Sequence, residues 1–407
     1  MQQRWHFNPR CRKSGFITNN MENLLIRNGK IIKRDGIYEG DILIRDKNIV
    51  ETDYRGDIPQ DCVCIDACGK YVAPGFIDIH VHGGGGYDFM DCTVEAFKEI
   101  TSVHLKNGTT TIVPTAVSSS MENVFELIDV YKEATSVCPT MYGLHLEGPY
   151  ISPEQKGAHK EKYLHSPNAN EIAKLLHKGQ GIIKRITAAP ELEGMDEFVT
   201  KMKKAGVSLA VGHSDATSDI ALDSFKKGFS HVTHLYSATP SIRKINQVVK
   251  AGVVEAALLD DQVTVELIAD GKHCAKDALQ LVVKVKGIDN VALVTDALRP
   301  AGTDVSESWL GEKTPENRVI IEDGVAKLLD RSSFAGSIAT TSMILQKGVE
   351  HYGLSLCDTV TMLTETPARI LGIDDIGKLD KGYIANIVIF DEDYHICNVI
   401  FEGKMVC

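Results

Sequence analysis

The sequence has no uninterrupted run of about 18 apolar residues, the length that a membrane-spanning helix needs, so it predicts no transmembrane segment. It also lacks a basic excess, because 44 lysines and arginines stand against 55 aspartates and glutamates, for a net charge of -11. Acidic and basic residues are interspersed and no basic face is evident, which disfavours a nucleic acid as the partner. We therefore expect a small-molecule partner rather than a membrane or a nucleic acid.

The N-terminal residues lack the apolar segment of a secretory signal peptide. The first twenty residues are polar and mildly basic, and patterned sequence begins only after Met21. We interpret residues 1–21 as an N-terminal extension without stable structure, and Met21 as a candidate start of the natural protein.

A regular cysteine framework is also missing, although the chain has ten cysteines. Cys62, Cys64 and Cys68 crowd together, but a zinc site would need a fourth ligand in similar spacing. We interpret these three as small apolar residues of strands and turns. Cysteines without a pairing pattern, in a chain of 407 residues, suit a reducing compartment, and the sequence predicts a cytoplasmic protein.

Both ends of the chain predict short strands. Residues 22–73 contain apolar segments separated by turns, among them a predicted hairpin turn at Asn28-Gly29. Residues 376–407 have the same character. We therefore predict one small β-sandwich domain assembled from both ends, enclosing a longer middle region.

Residues 74–375 alternate strand-like and helical patterns. A clear helical pattern covers residues 94–106, with apolar residues at helical spacing. Eight apolar, β-branched runs predict strands; they are 75–80, 110–115, 142–147, 182–188, 207–213, 231–235, 263–269 and 291–295. A strand followed by a helix, repeated eight times, is typical of an α/β protein with a (β/α)₈ TIM barrel.

The alternative architecture is an open, doubly wound sheet. A dinucleotide-binding version would need spaced glycines after the first strand and an acidic residue at the end of the second. Residues 83–86 are four glycines after a strand, but the acidic residue is missing. We interpret the glycines as a loop that passes close to a ligand or metal.

Residues that bind metals recur at the predicted C-terminal strand ends, where a barrel carries its active site. His80 and His82 are two residues apart on a strand, so both side chains point the same way. His104, His177 and His351 lie in helical stretches and are interpreted as surface or packing residues. The strand-end set is His80, His82, Glu147, His213, His234 and Asp296. Burying so many charged and polar groups needs compensation, which a divalent cation supplies.

The order of these motifs resembles a known family. Residues 74–83 (PGFIDIHVHG) resemble the entry motif of the amidohydrolase superfamily. The segments that resemble the N-acetylglucosamine-6-phosphate deacetylases are 145–149 (HLEGP), 211–214 (VGHS), 233–236 (THLY), 269–273 (ADGKH), 294–297 (VTDA) and 334–337 (FAGS). The resemblance runs from about residue 22 to the C-terminus.

The resemblance implies a role for each strand-end residue. Glu147, His213 and His234 are similar to the ligands of one metal ion, and His80 and His82 to the pair that holds a second ion in some members. Asp296 resembles the catalytic acid/base and also contacts metal. We therefore expect one or two divalent ions per chain, with Zn²⁺ first and Fe²⁺ or Mn²⁺ as alternatives.

The resemblance also implies a substrate and its contacts. His159 resembles the histidine that polarises the acetamide carbonyl, and His273 a substrate-binding histidine. Ser237 and Ala238 stand where the family has Asn-Ala. Arg243 is the nearest match to the arginine that binds phosphate from a neighbouring subunit of a homodimer, although the family's His-Arg-Glu-Pro-Gly here reads IRKIN over residues 242–246.

The expected reaction is hydrolysis of the acetamide of an N-acetylhexosamine 6-phosphate, with N-acetyl-D-glucosamine 6-phosphate as the leading substrate. A metal-bound hydroxide attacks the amide, because a divalent metal lowers the pKa of its bound water to about 7. A neighbouring carboxylate then moves the proton to the departing amine.

Other functions remain open at this point. Dihydroorotase-like and hydantoinase-like enzymes bridge their metals with a carboxylated lysine at the end of strand four, where this chain has Ala188-Ala189-Pro190-Glu191, with Lys184 toward the start. Adenosine-deaminase-like enzymes lack the strand-three glutamate. Another acetylated sugar or a cyclic amide is a further alternative substrate. A metal-stabilised binding or scaffold protein is the non-enzymatic alternative, and Asp296 argues against it.

Overall fold

The computed structural model describes residues 23–60 and 62–407. The predicted N-terminal extension, residues 1–21, lies outside the described residues. Within the described part, no helix combines the length and the apolar character needed to cross a membrane.

The strands are numbered in chain order. They are β1 (Asn23–Lys33), β2 (Gly36–Arg45), β3 (Asn48–Glu51), β4 (Cys62–Asp66), β5 (Tyr71–Pro74), β6 (Phe76–Val81), β7 (Gly83–Gly84), β8 (Tyr87–Asp88), β9 (Thr109–Ala116), β10 (Leu144–Glu147), β11 (Ile183–Ala188), β12 (Ser208–Val211), β13 (Phe229–Val232), β14 (Arg243–Ile245), β15 (Val248–Lys250), β16 (Thr264–Ile268), β17 (Val291–Val294), β18 (Glu307–Trp309), β19 (Arg318–Glu322), β20 (Val325–Leu328), β21 (Phe334–Gly336), β22 (Ile387–Phe390), β23 (Ile396–Phe401) and β24 (Lys404–Met405).

The α-helices are numbered in the same way. They are α1 (Val94–Lys106), α2 (Met121–Ala134), α3 (Ala169–Lys178), α4 (Met195–Lys204), α5 (Ser218–Lys227), α6 (Val253–Leu259), α7 (Lys276–Lys286), α8 (Thr341–Glu350), α9 (Leu356–Leu363) and α10 (Glu365–Leu371). Helix α1 has the predicted bounds. It begins where the hydroxyl of Thr93 accepts the backbone N–H of Ala96 at 3.2 Å, and it buries Phe97 and Ile100 against the barrel.

Eight parallel strands form the barrel, in the order β6-β9-β10-β11-β12-β13-β16-β17. Each lies within or beside one of the predicted runs, and the prediction of an α/β barrel is confirmed. The strands β6, β9, β10, β16 and β17 are buried along their whole length, because helices cover their outer face and side chains fill the interior.

The barrel closes between its first and last strands. Val81, at the end of β6, forms a parallel bridge with Ala297, just after β17. The N–H of Asp296 donates to the carbonyl of His80 at 3.0 Å, and the N–H of His82 donates to the carbonyl of Ala297 at 2.8 Å. Closure therefore excludes the open-sheet alternative and places Asp296 beside the two histidines.

The small sheet combines strands from both ends of the chain. β22 pairs with β5, and β1 pairs with β4 along its first half and with β5 along its second half. The hairpin prediction at Asn28-Gly29 was wrong. β1 continues through this dipeptide with a register shift and a φ of 54° at Asn28, and the chain reverses only after Lys33. An Asn-Gly pair suits a bulge as well as a turn, because both need a positive φ.

Two small sheets outside the barrel were not predicted from the sequence. β14 and β15 form a two-stranded ribbon after β13, and β18 to β21 form a four-stranded antiparallel sheet after β17. Arg299, which is 2% exposed, ties this sheet to the glycine-rich loop. Its guanidinium donates to the carboxylate of Asp91 and to the carbonyl oxygens of Gly86 and Gly311.

Candidate metal centre and active site

The predicted strand-end residues converge at the C-terminal mouth of the barrel. All of them are buried, and His159 joins them from the loop after β10. Three lie just after their strands with left-handed backbone, namely His213 (φ 48°), His234 (φ 25°) and Asp296 (φ 48°). Such conformations cost about 1–3 kcal/mol each in non-glycine residues and are common at functional sites.

Glu147 is the centre of the first group of side chains. Its carboxylate is only 4% exposed, and five imidazole nitrogens approach it. Measured from Nε2 of each ring, the contacts to Oε1 are His234 at 2.8 Å, His213 at 3.2 Å and His80 at 3.5 Å, and those to Oε2 are His82 at 3.2 Å and His159 at 3.4 Å.

The other ring nitrogens of His213 and His234 determine which nitrogen faces the centre. Nδ1 of His213 donates to the carbonyl of Gln155 at 2.8 Å, and Nδ1 of His234 donates to the carbonyl of Ser237 at 3.1 Å. A neutral ring has one donor and one acceptor, so both Nε2 atoms present a lone pair to Glu147. Two hydrogen-bond acceptors that face each other repel unless a proton or a cation binds to them. Histidines that bind a metal usually donate their other ring N–H to a carbonyl or carboxylate oxygen, as these two do.

The pKa shifts of His213 and Glu147 agree with this arrangement. Burial lowers the pKa of His213 to about 4, so its ring is neutral near pH 7. Burial by itself would raise the pKa of Glu147, but the surrounding imidazoles, His80 foremost, hold it well below its ordinary value. Glu147 is therefore a carboxylate, and a neutral His213 cannot supply the charge that it needs.

His80, His82 and Asp296 form the second group. Nε2 of His82 lies 3.2 Å from Oδ1 of Asp296, and Nε2 of His80 lies 3.6 Å from the same atom. Burial alone would lower the pKa of His82, but hydrogen bonds to Asp296 and Glu147 raise it to about 9. Burial alone would raise the pKa of Asp296, but His82 and His80 lower it below its ordinary value. The negative charge of Glu147 and Asp296 can be compensated in two ways, by a proton on an imidazole or by a divalent cation.

His159 has the opposite tautomer. Its Nδ1 accepts the backbone N–H of Ser118 at 3.2 Å and contacts the Ser118 hydroxyl at 2.8 Å. Because a backbone N–H only donates, Nδ1 of a neutral ring is the acceptor, and the proton lies on Nε2. His159 therefore presents a hydrogen-bond donor to the mouth, beside rings that present lone pairs.

The donor set fits a divalent cation. His80, Glu147 and His234 have ligand atoms close enough to share an ion, and His80, His82 and Asp296 form a second such set. Imidazole nitrogens with carboxylate oxygens suit Zn²⁺, Fe²⁺ and Mn²⁺. A third set, Glu147, His159 and His213, includes the ring that faces the centre with a proton and is less suited to binding metal.

Two buried residues near the centre were not predicted from the sequence. Glu266, in the middle of β16, contacts Nδ1 of His80 at 2.6 Å through Oε1. Arg185, in β11, lies 2.7 Å from Oε2 of Glu266. The available signal was a charged residue within each strand, Glu266 alone in β16 and Arg185 next to Lys184 in β11, since a buried charge needs a partner.

Three of the predicted substrate contacts lie around this centre. His273 is partly buried, its Nδ1 lies 2.8 Å from Oδ2 of Asp270, and its ring contacts Phe334. Burial alone would lower the pKa of His273, but Asp270 raises it above its ordinary value. Ser237 and Ala238 follow His234. The carbonyl oxygen of Ser237 accepts a hydrogen bond from Nδ1 of His234, and that of Ala238 accepts one from the backbone N–H of Ser214.

Arg243 forms an ion pair with Asp215 of its own chain. Nη1 lies 2.5 Å from Oδ1 of Asp215, and Nη2 donates to Oδ2 at 2.9 Å and to the backbone carbonyl of Asp215 at 2.7 Å. Gln155, whose backbone carbonyl accepts the hydrogen bond from His213, also donates from its side-chain amide to Oδ1 of Asp215, at 2.8 Å. Arg243 is therefore near the rim of the site, with an ion pair that the sequence did not predict.

The remaining candidates are not part of the centre. Nζ of Lys184 lies over the ring of Tyr142, 5.2 Å from its centroid, so no lysine at the end of strand four bridges the predicted ligands. His104 is a buried packing residue, His177 is exposed on α3, and His351 is exposed just after α8.

Comparison with known proteins places this geometry in a family. The amidohydrolase family model matches residues 71–406. The chain is 31% identical to the N-acetylglucosamine-6-phosphate deacetylase of Haemophilus influenzae over 381 residues, which cover 91% of this chain and 96% of that protein.

Solved structures have the same fold over nearly the whole chain. The N-acetylglucosamine-6-phosphate deacetylase of Pasteurella multocida superposes with a TM-score of 0.88 and 29% identity, over 95% of this chain and 100% of that one. A mutant of the Mycobacterium smegmatis enzyme, in complex with N-acetyl-D-glucosamine-6-phosphate, has a TM-score of 0.86 and 28% identity, over 95% and 99%.

Proposed function

The chain belongs to the amidohydrolase family, in the group of the N-acetylglucosamine-6-phosphate deacetylases, and on that premise we propose that it hydrolyses N-acetyl-D-glucosamine 6-phosphate to D-glucosamine 6-phosphate and acetate. The observation that carries the proposal is the contrast of tautomers around Glu147. His213 and His234 present lone pairs for a metal, whereas His159 presents a proton for a substrate oxygen. Amide hydrolysis needs both kinds of group at one place.

The enzyme depends on a divalent metal, held by Glu147, His213 and His234, with His80, His82 and Asp296 holding a second ion. When bound, the metal supplies a water of lowered pKa and offsets negative charge on the reacting amide. Zn²⁺ is the proposed ion, because a centre rich in imidazole nitrogens suits it.

Asp296 acts as the acid/base. Its low pKa keeps it a carboxylate at neutral pH, so it is ready to take a proton from the attacking water. It then returns this proton to the nitrogen of the departing amino sugar. His159 orients the acetamide, because its Nε2–H donates to the carbonyl oxygen and stabilises the charge that develops there.

The sugar phosphate binds on the outer side of this centre. His273 contacts the sugar, Ser237 and Ala238 line its path, and Arg243 binds the 6-phosphate. Since the guanidinium of Arg243 is paired with Asp215, the phosphate competes with that carboxylate or uses the remaining N–H groups. In the proposed homodimer, Arg243 serves the site of the neighbouring subunit. The cytoplasmic location stays a prediction.

Acetate release tests the substrate. The purified, metal-loaded protein is assayed with N-acetylglucosamine 6-phosphate, its galactosamine and mannosamine counterparts, and the three unphosphorylated sugars. We expect the glucosamine phosphate to give the highest kcat/KM. The free sugar should be poorer by at least about 10²-fold, because two charge-assisted hydrogen bonds of about 1.5–3 kcal/mol each are lost.

Arg243→Ala should erase much of this preference, whereas Lys244→Ala, on an exposed neighbour in the same ribbon, should retain it. Equal kcat/KM for phosphorylated and free sugars would reject the sugar phosphate as the substrate. No acetate release from any acetylated sugar would reject the deacetylase function itself.

A further inference from the structure

From the hydrogen bonds in the barrel centre, we infer that Glu266 is a positioning residue that holds His80 and His234 in the orientation needed to bind metal, and that it thereby couples the two groups of ligands. The inference rests on the proposed metal dependence, but not on the identity of the sugar.

Glu266 lies beneath the metal centre and is fully buried. Oε1 is 2.6 Å from Nδ1 of His80 and 3.1 Å from the backbone nitrogen of His234. Oε2 is 2.7 Å from Nη1 of Arg185 and 3.3 Å from Nε2 of His231. One carboxylate therefore contacts a residue from each of the two ligand groups.

The partners determine the protonation of the carboxylate. The guanidinium of Arg185 and the backbone N–H of His234 can only donate, so both oxygens of Glu266 accept hydrogen bonds. Nδ1 of His80 is then the donor in its short contact with Oε1. In the neutral form of the ring, which is the form that binds metal, Nε2 of His80 is then the lone-pair nitrogen, and it faces Nε2 of His82 at 3.3 Å and the carboxylate of Asp296 at 3.6 Å.

Stability alone does not account for this arrangement. Arg185 and Glu266 are 1% and 0% exposed, and removing two such charges from water costs several kcal/mol per ion. Apolar residues of the same volume are often as stabilising as a buried ion pair. A carboxylate that orients a ligating imidazole does have a specific use, because such partners fix the tautomer and the direction of the ring.

Glu266→Gln tests the inference, because the glutamine side chain has only one acceptor oxygen where the glutamate carboxylate has two. The charge of Arg185 attracts this oxygen, so the amide NH₂ turns toward His80 and the N–H of His234. Nδ1 of His80 must then accept, and the proton moves to Nε2, where it blocks metal binding. The loss of a partner of this kind weakens metal binding by about 10–100-fold.

Metal content and affinity are measured on the intact protein, by elemental analysis after dialysis and by competition with a zinc chelator. If the wild type holds two ions, the variant should hold one. If it holds one, the dissociation constant of that ion should rise at least about 10-fold. Asp88→Asn is the matched control, because Asp88 is a fully buried carboxylate whose hydrogen bonds go to the backbone N–H groups of Met90 and Gly311.

Wild-type stoichiometry and affinity in Glu266→Gln would overturn the inference, and so would an equal loss of metal in Asp88→Asn. If the variant does not fold, ¹⁵N NMR of the histidine rings in the zinc-loaded wild type decides. We expect a proton on Nδ1 of His80 and zinc on Nε2, and a proton on Nε2 alone would refute it. These measurements use no substrate, so they succeed or fail independently of the deacetylase assay.

Discussion

Nε2 of His234 lies 2.8 Å from Oε1 of Glu147, although Nδ1 of the same ring already donates to a carbonyl oxygen. In a neutral ring, this contact brings two hydrogen-bond acceptors together. It is favourable only if a cation binds both atoms or if the ring takes a second proton. The relationship is thus the most direct evidence in the fold for metal binding.

The first prediction concerns the number of ions. We expect up to two divalent ions per chain, and replacing both His80 and His82 with glutamine should remove one of them. The other ion should stay on Glu147, His213 and His234, since glutamine at the first two positions leaves these ligands in place. Elemental analysis after dialysis measures the content. A wild type that carries no metal under non-chelating conditions would contradict the prediction.

The second prediction separates binding from chemistry at Asp296. Asp296→Asn keeps the size of the side chain but cannot accept and return a proton. We expect turnover to fall by at least about 10²-fold, while substrate binding persists in a calorimetric titration. Near-normal turnover would show that another group carries the proton.

The third prediction concerns the donor at His159. His159→Phe keeps a ring but removes the N–H, so kcat should fall by about 10²–10³-fold, the usual effect of losing one donor to a developing oxyanion. Ser118→Ala is the matched control, because it keeps the backbone N–H that determines the tautomer of His159. We expect less than about a 10-fold effect from it. Similar losses in both variants would mean that the region is merely perturbed.

The fourth prediction is a pH dependence of stability at His104. This ring is buried, its Nε2 donates to the carbonyl of Gly83 at 2.9 Å, and its Nδ1 has no hydrogen-bond partner. Burial lowers its pKa below the ordinary value, against a smaller opposing effect of the Gly83 carbonyl. The unfolded chain therefore binds the proton more readily than the folded one. The contribution of the neutral His104 ring to the free energy of unfolding is complete above about pH 6.5 and decreases as the pH falls below that value.

Thermal unfolding of the wild type and His104→Gln between pH 7.5 and pH 5.5 measures the effect. The wild type should lose up to about 1.4 kcal/mol more per pH unit than the variant below about pH 6.5. His177→Gln, on an exposed helical face, should follow the wild type. Parallel curves for the wild type and His104→Gln would contradict the prediction.

The barrel strands were predictable because their signal is local. A buried parallel strand is a continuous apolar run, and each of the eight barrel strands lies in or beside such a run. The Asn28-Gly29 prediction was wrong for a related reason. A positive φ is a local requirement that a bulge and a hairpin turn share, and only the pairing of β1 with its neighbours decides between them. The β18–β21 sheet was missed because its short strands carry a weak pattern.

The candidate site was predictable where it follows the strand ends. Glu147 and Asp296 occupy positions that any parallel barrel directs to its mouth. Glu266 and Arg185 carry no such signal, because they lie in the middle of strands and meet only across the barrel interior. The pairing of Arg243 with Asp215 depends in the same way on how a surface ribbon lies against a neighbouring loop.

The sequence by itself determined the periodic strands and helices, the chemical types at the strand ends and the motifs that indicate the family, since all of these depend on neighbouring residues. The tertiary structure alone decided which groups meet and which nitrogen each ring presents. His80 and Glu266 are 186 residues apart along the chain, yet they lie in contact because the barrel closes between β6 and β17. The tautomers of His159, His213 and His234 follow from partners in separate loops, because a backbone N–H can only donate and a carbonyl can only accept.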